Sequence, residues 1–412
     1  MSAAVETYRD DVEATYAVDF SRDREPVKAR SRFPEYRRQG GAPTRVGGMH
    51  CRRNKRWSWG SGRSARMLNA RAFAGAVAFA IASVATSVFG QAVTINTQTI
   101  NNVGNAGNST NGLGAVPYVF QLGRFEVTNS QYAAFLNAVG RSNTNNIYVS
   151  GMSTDVNGGI TQSGTSGSFT YAVKSNMGNE PVNFVNWYSA ARFANWLHNG
   201  QTTNVASMET GSYTLNNVAS GPVLTRTANA TWVLPTLNEW FKGGFHNATG
   251  LTSTSYTQYA SNSNTIPTAS ATSLTAVNAA NFNGATAGST GPLAVGAYTN
   301  TTSAYGLYDM MGNVAEMTES KQGSSGTGLN RYATMSGAWS SLSTTFAANY
   351  SLAFTTPIYT GTAAANSATG FRLAKVEPVP EPGTIALAGV GLAGLGGIEW
   401  SRRRKAKVRI AG

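Results

Sequence analysis

The sequence predicts a loop-rich α+β domain, and three observations carry that prediction. Two threonine-led capping boxes, Thr128 with Gln131 and Thr236 with Glu239, each open an apolar stretch of helical period. Short β-prone runs at 119–127, 331–339 and 370–374 bracket them. Between these lie polar tracts rich in Gly, Ser, Thr and Asn: loops and a hairpin at 141–180, and a second tract at 247–300.

Taken in order, residues 93–115 supply a strand or an extended entry segment. The run at 119–127 then leads into a first helix, with Tyr132, Phe135, Leu136 and Val139 on its inner face and Gly140 as C-cap. A second helix follows Asn186, its N-cap, and stops before Gly200. His198 sits in its last turn, where positive charge suits the dipole. The third helix, from Thr236, aligns Leu237, Trp240, Phe241 and Phe245 on one face. Its Gly243-Gly244 pair costs roughly 1 kcal/mol per glycine relative to Ala, which predicts a short helix.

The chain of 412 residues carries a net charge of +13, but that charge sits at its ends. Of 32 Lys and Arg, 15 lie in 1–66 and six between Arg402 and Arg409, whereas the stretch 93–401 holds 10 against 11 acids. A near-neutral folded part excludes nucleic acid as its partner. The single cysteine, Cys51, excludes an intramolecular disulfide.

From Met67 the chain reads as a secretory signal. Arg71 is the positive region, 72–89 the apolar run, and Gly90-Gln91-Ala92 a small-x-small cleavage site. Residues 1–66 form a basic leader without sustained period; a start at Met67 would leave it, and Cys51, out of the product. On this reading 67–92 is the signal, 93–376 the folded domain and 377–412 a separate device. There, Val379-Pro380-Glu381-Pro382 precedes an apolar, Gly-rich segment at 383–398 and the basic run Arg402-Arg403-Arg404-Lys405. Such a segment is short for a ~30 Å membrane span, and the basic residues after it obey the positive-inside rule.

The most informative stretch is 305–320, where Asp309 and Glu316 flank a Gly312-Asn313 turn. A short irregular loop of this kind can offer a hard cation both carboxylates and backbone carbonyls. A surface turn with two solvated acids has the same spacing. Elsewhere the sequence offers little chemistry. His50, His198 and His246 are its only histidines, too few in the folded part for a three-histidine metal centre. No Gly-x-Ser-x-Gly elbow with a partnered histidine and no phosphate loop appears.

Six ordered motifs resemble the sulfatase-modifying-factor family, the formylglycine-generating-enzyme-like domains. GRFEVTNSQYAAFLNA is similar to YEVTNAQYAEFLNA, PVNFVNWYSAARFANWL to PVxxVxWxDAxxFANWL, and LPTLNEW to the family's RLPTEAEW. GLYDMMGNVAEM matches GLYDMxGNVWEW with Ala315 and Met317 in place of its tryptophans. RYATMSGAW stands for RVxRGGSW, and GFRLA closes the domain. The resemblance covers about 119–376 and implies a C-type-lectin-like fold.

It also implies a structural calcium ion held by the Asp309 and Glu316 side chains and the Gly312 and Val314 carbonyls. A second metal site would use Asn281, Phe282 and Tyr298, but Gly296 replaces its acid. Family enzymes bind copper through two cysteines after the GGSW strand, at positions that are Ser341 and Phe346 here. Neither side chain is a soft thiolate, so copper and sulfatase-type activation are not expected. Some relatives use the segment before GFR as a ligand surface; here it carries Trp339, Phe346, Asn349, Tyr350, Phe354 and Tyr359. The resemblance therefore leaves two functions: a non-catalytic binding or matrix module, facing polysaccharide or a surface protein, or a metal-dependent oxidoreductase with altered chemistry. Finally, the order VPEP, apolar segment, basic tail resembles a PEP-CTERM sorting signal. That implies an exosortase-type peptidase as partner, transient membrane anchoring, and cleavage near Pro380–Pro382.

Overall fold

Residues 92–321, 331–345, 351 and 358–377 are described by a computed structural model, all within the second of the two units into which the chain divides, Val84–Gly412. The chain runs through β1 (Thr97–Ile100), β2 (Phe120–Gly123) and α1 (Asn129–Val139) into α2 (Gly151–Thr154) and the hairpin β3 (Ile160–Ser163) and β4 (Thr170–Val173). Next come α3 (Trp187–His198), β5 (Trp232–Val233), α4 (Leu237–Phe245), β6 (Thr268–Ala269) and β7 (Ala279–Ala280). The last elements are β8 (Ala315–Lys321), β9 (Arg331–Met335), β10 (Ile358–Gly361), β11 (Thr369–Gly370) and β12 (Ala374–Lys375).

The three long helices start where their caps demand. Both capping boxes are complete, with Thr128 and Gln131 bonding reciprocally at α1 and Thr236 and Glu239 at α4. Asn186 caps α3 by accepting the Ser189 N–H at 2.8 Å. Gly200 follows its C-cap with φ +77°, the left-handed stop that glycine tolerates best. His198 bonds Thr231 Oγ1 at 2.8 Å, a structural use of the helix-end imidazole. Every other residue of α3 is buried, so this helix is core on all sides.

Two four-stranded sheets frame the domain. One is antiparallel throughout, in the order β1-β2-β12-β5; the other runs β10-β9-β8-β11, with β11 parallel to β8. The closing motif is therefore not one strand. Gly370 belongs to the second sheet and Ala374 to the first, and Phe371, Arg372 and Leu373 cross between them fully buried. The run at 119–127 is likewise shorter than its pattern, because the chain leaves the ladder at Gly123. The run at 331–339 ends at Met335, where Ser336 and Gly337 take positive φ.

Gly243 and Gly244 have a packing reason. A Cβ on Gly243 would lie 2.6 Å from Leu122 Cδ2, and one on Gly244 would lie 3.0 Å from the Ala260 Cβ. Gly243 lets α4 press against β2 and Gly244 lets it approach Ala260, which offsets the pair's poor helix propensity. Among the described residues no helix is long and apolar enough to cross a membrane. The signal at 67–91 and the segment at 383–398 lie outside them.

Lys242 of α4 is buried with carbonyls for partners, Asn102 O at 3.1 Å and Val116 O at 3.4 Å, and none of the described ion pairs includes it. Burial lowers its pKa to about 8. The unfolded chain therefore binds the extra proton between about pH 8 and the ordinary lysine value near 10.5, and stability rises with pH across that window. Lys242→Met should raise the melting temperature at pH 7 and abolish that rise, as followed by thermal melts from pH 7 to 10.5.

Candidate functional site

The loop at 305–314 is held by backbone conformation before any charge is considered. Asp309, Gly312 and Asn313 all take positive φ. Gly312 forms a parallel bridge to Asn281, where an added Cβ would lie 2.3 Å from the Asn281 carbonyl oxygen; only glycine fits. The next residue donates its N–H to that same oxygen at 2.8 Å.

Ser336 clamps the loop from the other side. Its Oγ lies 3.0 Å from Asp309 O and 2.9 Å from Gly312 O, and its own carbonyl accepts the Gly312 N–H at 2.8 Å. Ser336 occupies the first glycine of the RVxRGGSW pattern at φ +76°, a conformation costing a non-glycine residue roughly 1–2 kcal/mol. The hydroxyl bonds offset that strain.

Three carboxyls and one guanidinium meet beneath the loop. Arg372, fully buried, grips Glu316 in a bidentate pair with both contacts at 2.5 Å; its remaining donors reach Gly123 O and Tyr308 O, each at 3.0 Å. Glu316 Oε2 also accepts the Trp240 indole N–H at 2.7 Å. Asp309 Oδ2 accepts the Gly296 N–H at 2.6 Å. Burial raises the Asp309 pKa to about 6, against the pull of that N–H and of Arg372. The Glu126 pKa is raised as well, by burial and then by the neighbouring Asp309 charge.

The four positions that the resemblance assigns to calcium, Asp309, Gly312, Val314 and Glu316, are all buried in this network. Glu316 is committed to Arg372 and Trp240, and the Gly312 carbonyl to Ser336; Val314 is buried. None of the ion pairs among the described residues includes Asp309. At the second expected site, Asn281 bonds Gly291 and Asn313, Phe282 is buried, and the Tyr298 hydroxyl donates to Ser270 O. Among the described residues no cluster of three His, Cys, Asp or Glu has metal-holding geometry.

Ser341, at a family cysteine position, closes a turn. Its Oγ accepts the Ala338 N–H at 3.0 Å while its own N–H bonds Ala338 O at 2.9 Å. Trp339 is half-buried and its backbone N–H donates to Asn313 O at 2.8 Å, which couples the expected ligand surface to the central loop. Phe346, Asn349, Tyr350 and Phe354 lie outside the described residues, as do Val379–Pro382; the backbone of Tyr359 lies in β10, opposite Ala333.

Glu126, Asn313, Trp240, Ser336 and Arg372 are the site residues that motif reasoning left unassigned. Two carried a signal, since a lone Glu in GRFEV and a lone Arg in GFRLA are charges inside apolar runs. Such charges are seldom buried unpaired, so each called for a partner.

This fold and loop define the family. The sulfatase-modifying factor enzyme 1-like domain matches residues 114–376, and the chain belongs to that family. The PEP-CTERM protein-sorting motif matches 378–405, which implies an exported protein processed by exosortase-type sorting machinery. No curated protein matches the chain. Among solved structures it is similar to CarF, at 21% identity over 69% of this chain and 99% of that one, TM-score 0.44. It is also similar to Treponema denticola variable protein 1, at 19% identity over 69% and 96%, TM-score 0.42. A further similarity is to PvdO from Pseudomonas aeruginosa, at 15% over 68% and 91%, TM-score 0.36.

The buried pair makes a direct prediction. Arg372→Met strands the Glu316 charge and should lower the unfolding free energy by about 3–5 kcal/mol, while adding Glu316→Leu should restore most of the loss. Equilibrium urea unfolding of the single and double variants measures both.

Proposed function

We propose that the chain is a non-catalytic, calcium-stabilised binding module of C-type-lectin-like fold, displayed at the cell surface or in the extracellular matrix after sorting. The observation that carries this is the loss of both thiols. Ser341 and Phe346 stand at the family's cysteine positions, and the Ser341 hydroxyl is spent on a local turn. Copper(I) chemistry needs soft sulfur ligands, and hydroxyl and phenyl groups are neither.

What the site offers instead is an oxygen-rich, acid-bearing loop that would stabilise its neighbours once a hard cation relieved its charge. Trp339, Asn349, Tyr350 and Tyr359 are the proposed ligand contacts, aromatic and amide groups suited to sugars or a surface protein. Support for the link comes from Trp339, whose backbone bonds the same loop. The transmembrane part at 383–398 is transient on this reading, with cleavage near Pro380–Pro382.

The reading is tested on the purified full chain. Asp309→Ala should lower the melting temperature by a few degrees, about what 1 kcal/mol produces in a domain this size, and should remove its calcium dependence. A melt unchanged by chelator overturns the calcium claim. A glycan array should show binding that Trp339→Ala weakens, whereas bound copper with conversion of a peptide cysteine to an aldehyde would make the protein an oxidoreductase of the family instead.

A further inference from the structure

From Val93 onward the entry segment is anchored one backbone group at a time. Gln201 holds Val93 with both ends of its side-chain amide: Oε1 accepts the Val93 N–H at 2.6 Å and Nε2 donates to the Val93 carbonyl at 2.8 Å. Gln131 of α1 donates to Thr94 O at 2.9 Å, and the Arg124 backbone N–H donates to Asn96 O at 2.8 Å. The Val93 and Ile95 side chains pack against the core. One residue earlier, Ala92 is exposed.

Gln201 is itself fixed. It follows Gly200 at the end of α3 with φ +60°, a left-handed backbone that favours glycine. Its N–H bonds Trp196 O at 2.9 Å and the Gly200 N–H bonds Leu197 O at 3.1 Å, the paired closure that ends many helices. The same helix end supplies a field, because the C-terminus of a helix is the negative pole of its dipole and favours a cation. His198, the basic residue of the last turn, is bonded to Thr231, and burial lowers its pKa. The last turn therefore supplies no strong cation of its own. A charged amino group at Val93 would answer that pole, whereas a peptide N–H there would not. Independently, the sequence ends its secretory signal, Gly90-Gln91-Ala92, immediately before this residue.

We propose that Gln201 is the docking site for a new amino terminus, made when a signal peptidase hydrolyses the Ala92–Val93 bond during export. Water adds across the peptide bond, leaving a carboxylate on Ala92 and an ammonium on Val93. The ammonium stays on Gln201 Oε1, at the negative pole of α3, and the Val93 carbonyl keeps its bond from Nε2. A charged donor makes this hydrogen bond roughly twice as strong as a neutral one. Removal of the signal thus tightens the fold at the point where it is cut. The inference is independent of what the domain binds.

The full chain is expressed in an exporting bacterial host, and the amino terminus of the product is read by intact mass and N-terminal sequencing. Val93 is the expected first residue. Inserting one serine after Ala92 keeps the small-x-small signal and turns the Val93 ammonium into a peptide N–H. The exported insertion variant should melt a few degrees lower than the unaltered chain. Gln201→Ala should lower the melting temperature at least as much, and the insertion should add nothing in that background. Should Gln201→Ala not fold, Gln201→Asn, which withdraws the amide by one methylene, replaces it in the same comparison. An amino terminus other than Val93 overturns the proposal. So does an insertion variant that melts with the unaltered chain, or one whose effect persists in full when Gln201 is replaced.

Discussion

The fold depends on one buried ion pair. Arg372 sits where the closing segment passes from one sheet to the other, and it gathers Glu316 of β8, the carbonyl of Gly123 at the end of β2 and that of Tyr308 in the central loop. A guanidinium can do this because its five donors leave in fixed directions. Both partners are shielded from water, so neither can relax into solvent if the other is lost. The pair ties strand, loop and strand into one unit.

Around that constraint the loop is locked redundantly. Positive φ at Asp309, Gly312 and Asn313, the bridge to Asn281 and the Ser336 hydroxyl all restrain the same few residues. Ser336 is the informative departure, since a side chain at a left-handed position must return something for its strain. It returns hydrogen bonds to two loop carbonyls. In the same segment the Ser341 hydroxyl closes a turn on the Ala338 N–H. A scaffold that keeps its frame and changes its loops is how one fold comes to host different functions.

A second charged cluster stiffens the other flank. Arg226 bridges Glu239 of α4 and Glu319 of β8 at 2.8 and 2.6 Å, and the Tyr118 and Tyr213 hydroxyls complete the two carboxylates. Burial raises the Glu319 pKa to about 7 even against the adjacent Arg226. Glu239 shows how one residue serves two levels: it closes the capping box of α4 and anchors the distant Arg226. The cap was legible from spacing alone, whereas the anchor was not.

By itself the sequence determined whatever is local. The caps at Thr128, Asn186 and Thr236, the stop at Gly200, the presence of a hairpin within 141–180 and the loop around Gly312-Asn313 follow from dihedral preference and hydrogen bonds within a few residues, and ordered motifs set the family. Only the tertiary structure decided the rest. The split of GFRLA between two sheets, the reason for Gly243-Gly244, and the pairing of Glu316 with Arg372 depend on contacts outside the local segment, such as the 56 positions between Glu316 and Arg372. Glu126 belongs to that class as well, since only the fold buries it beside Asp309 and gives the neighbouring Arg372 to Glu316.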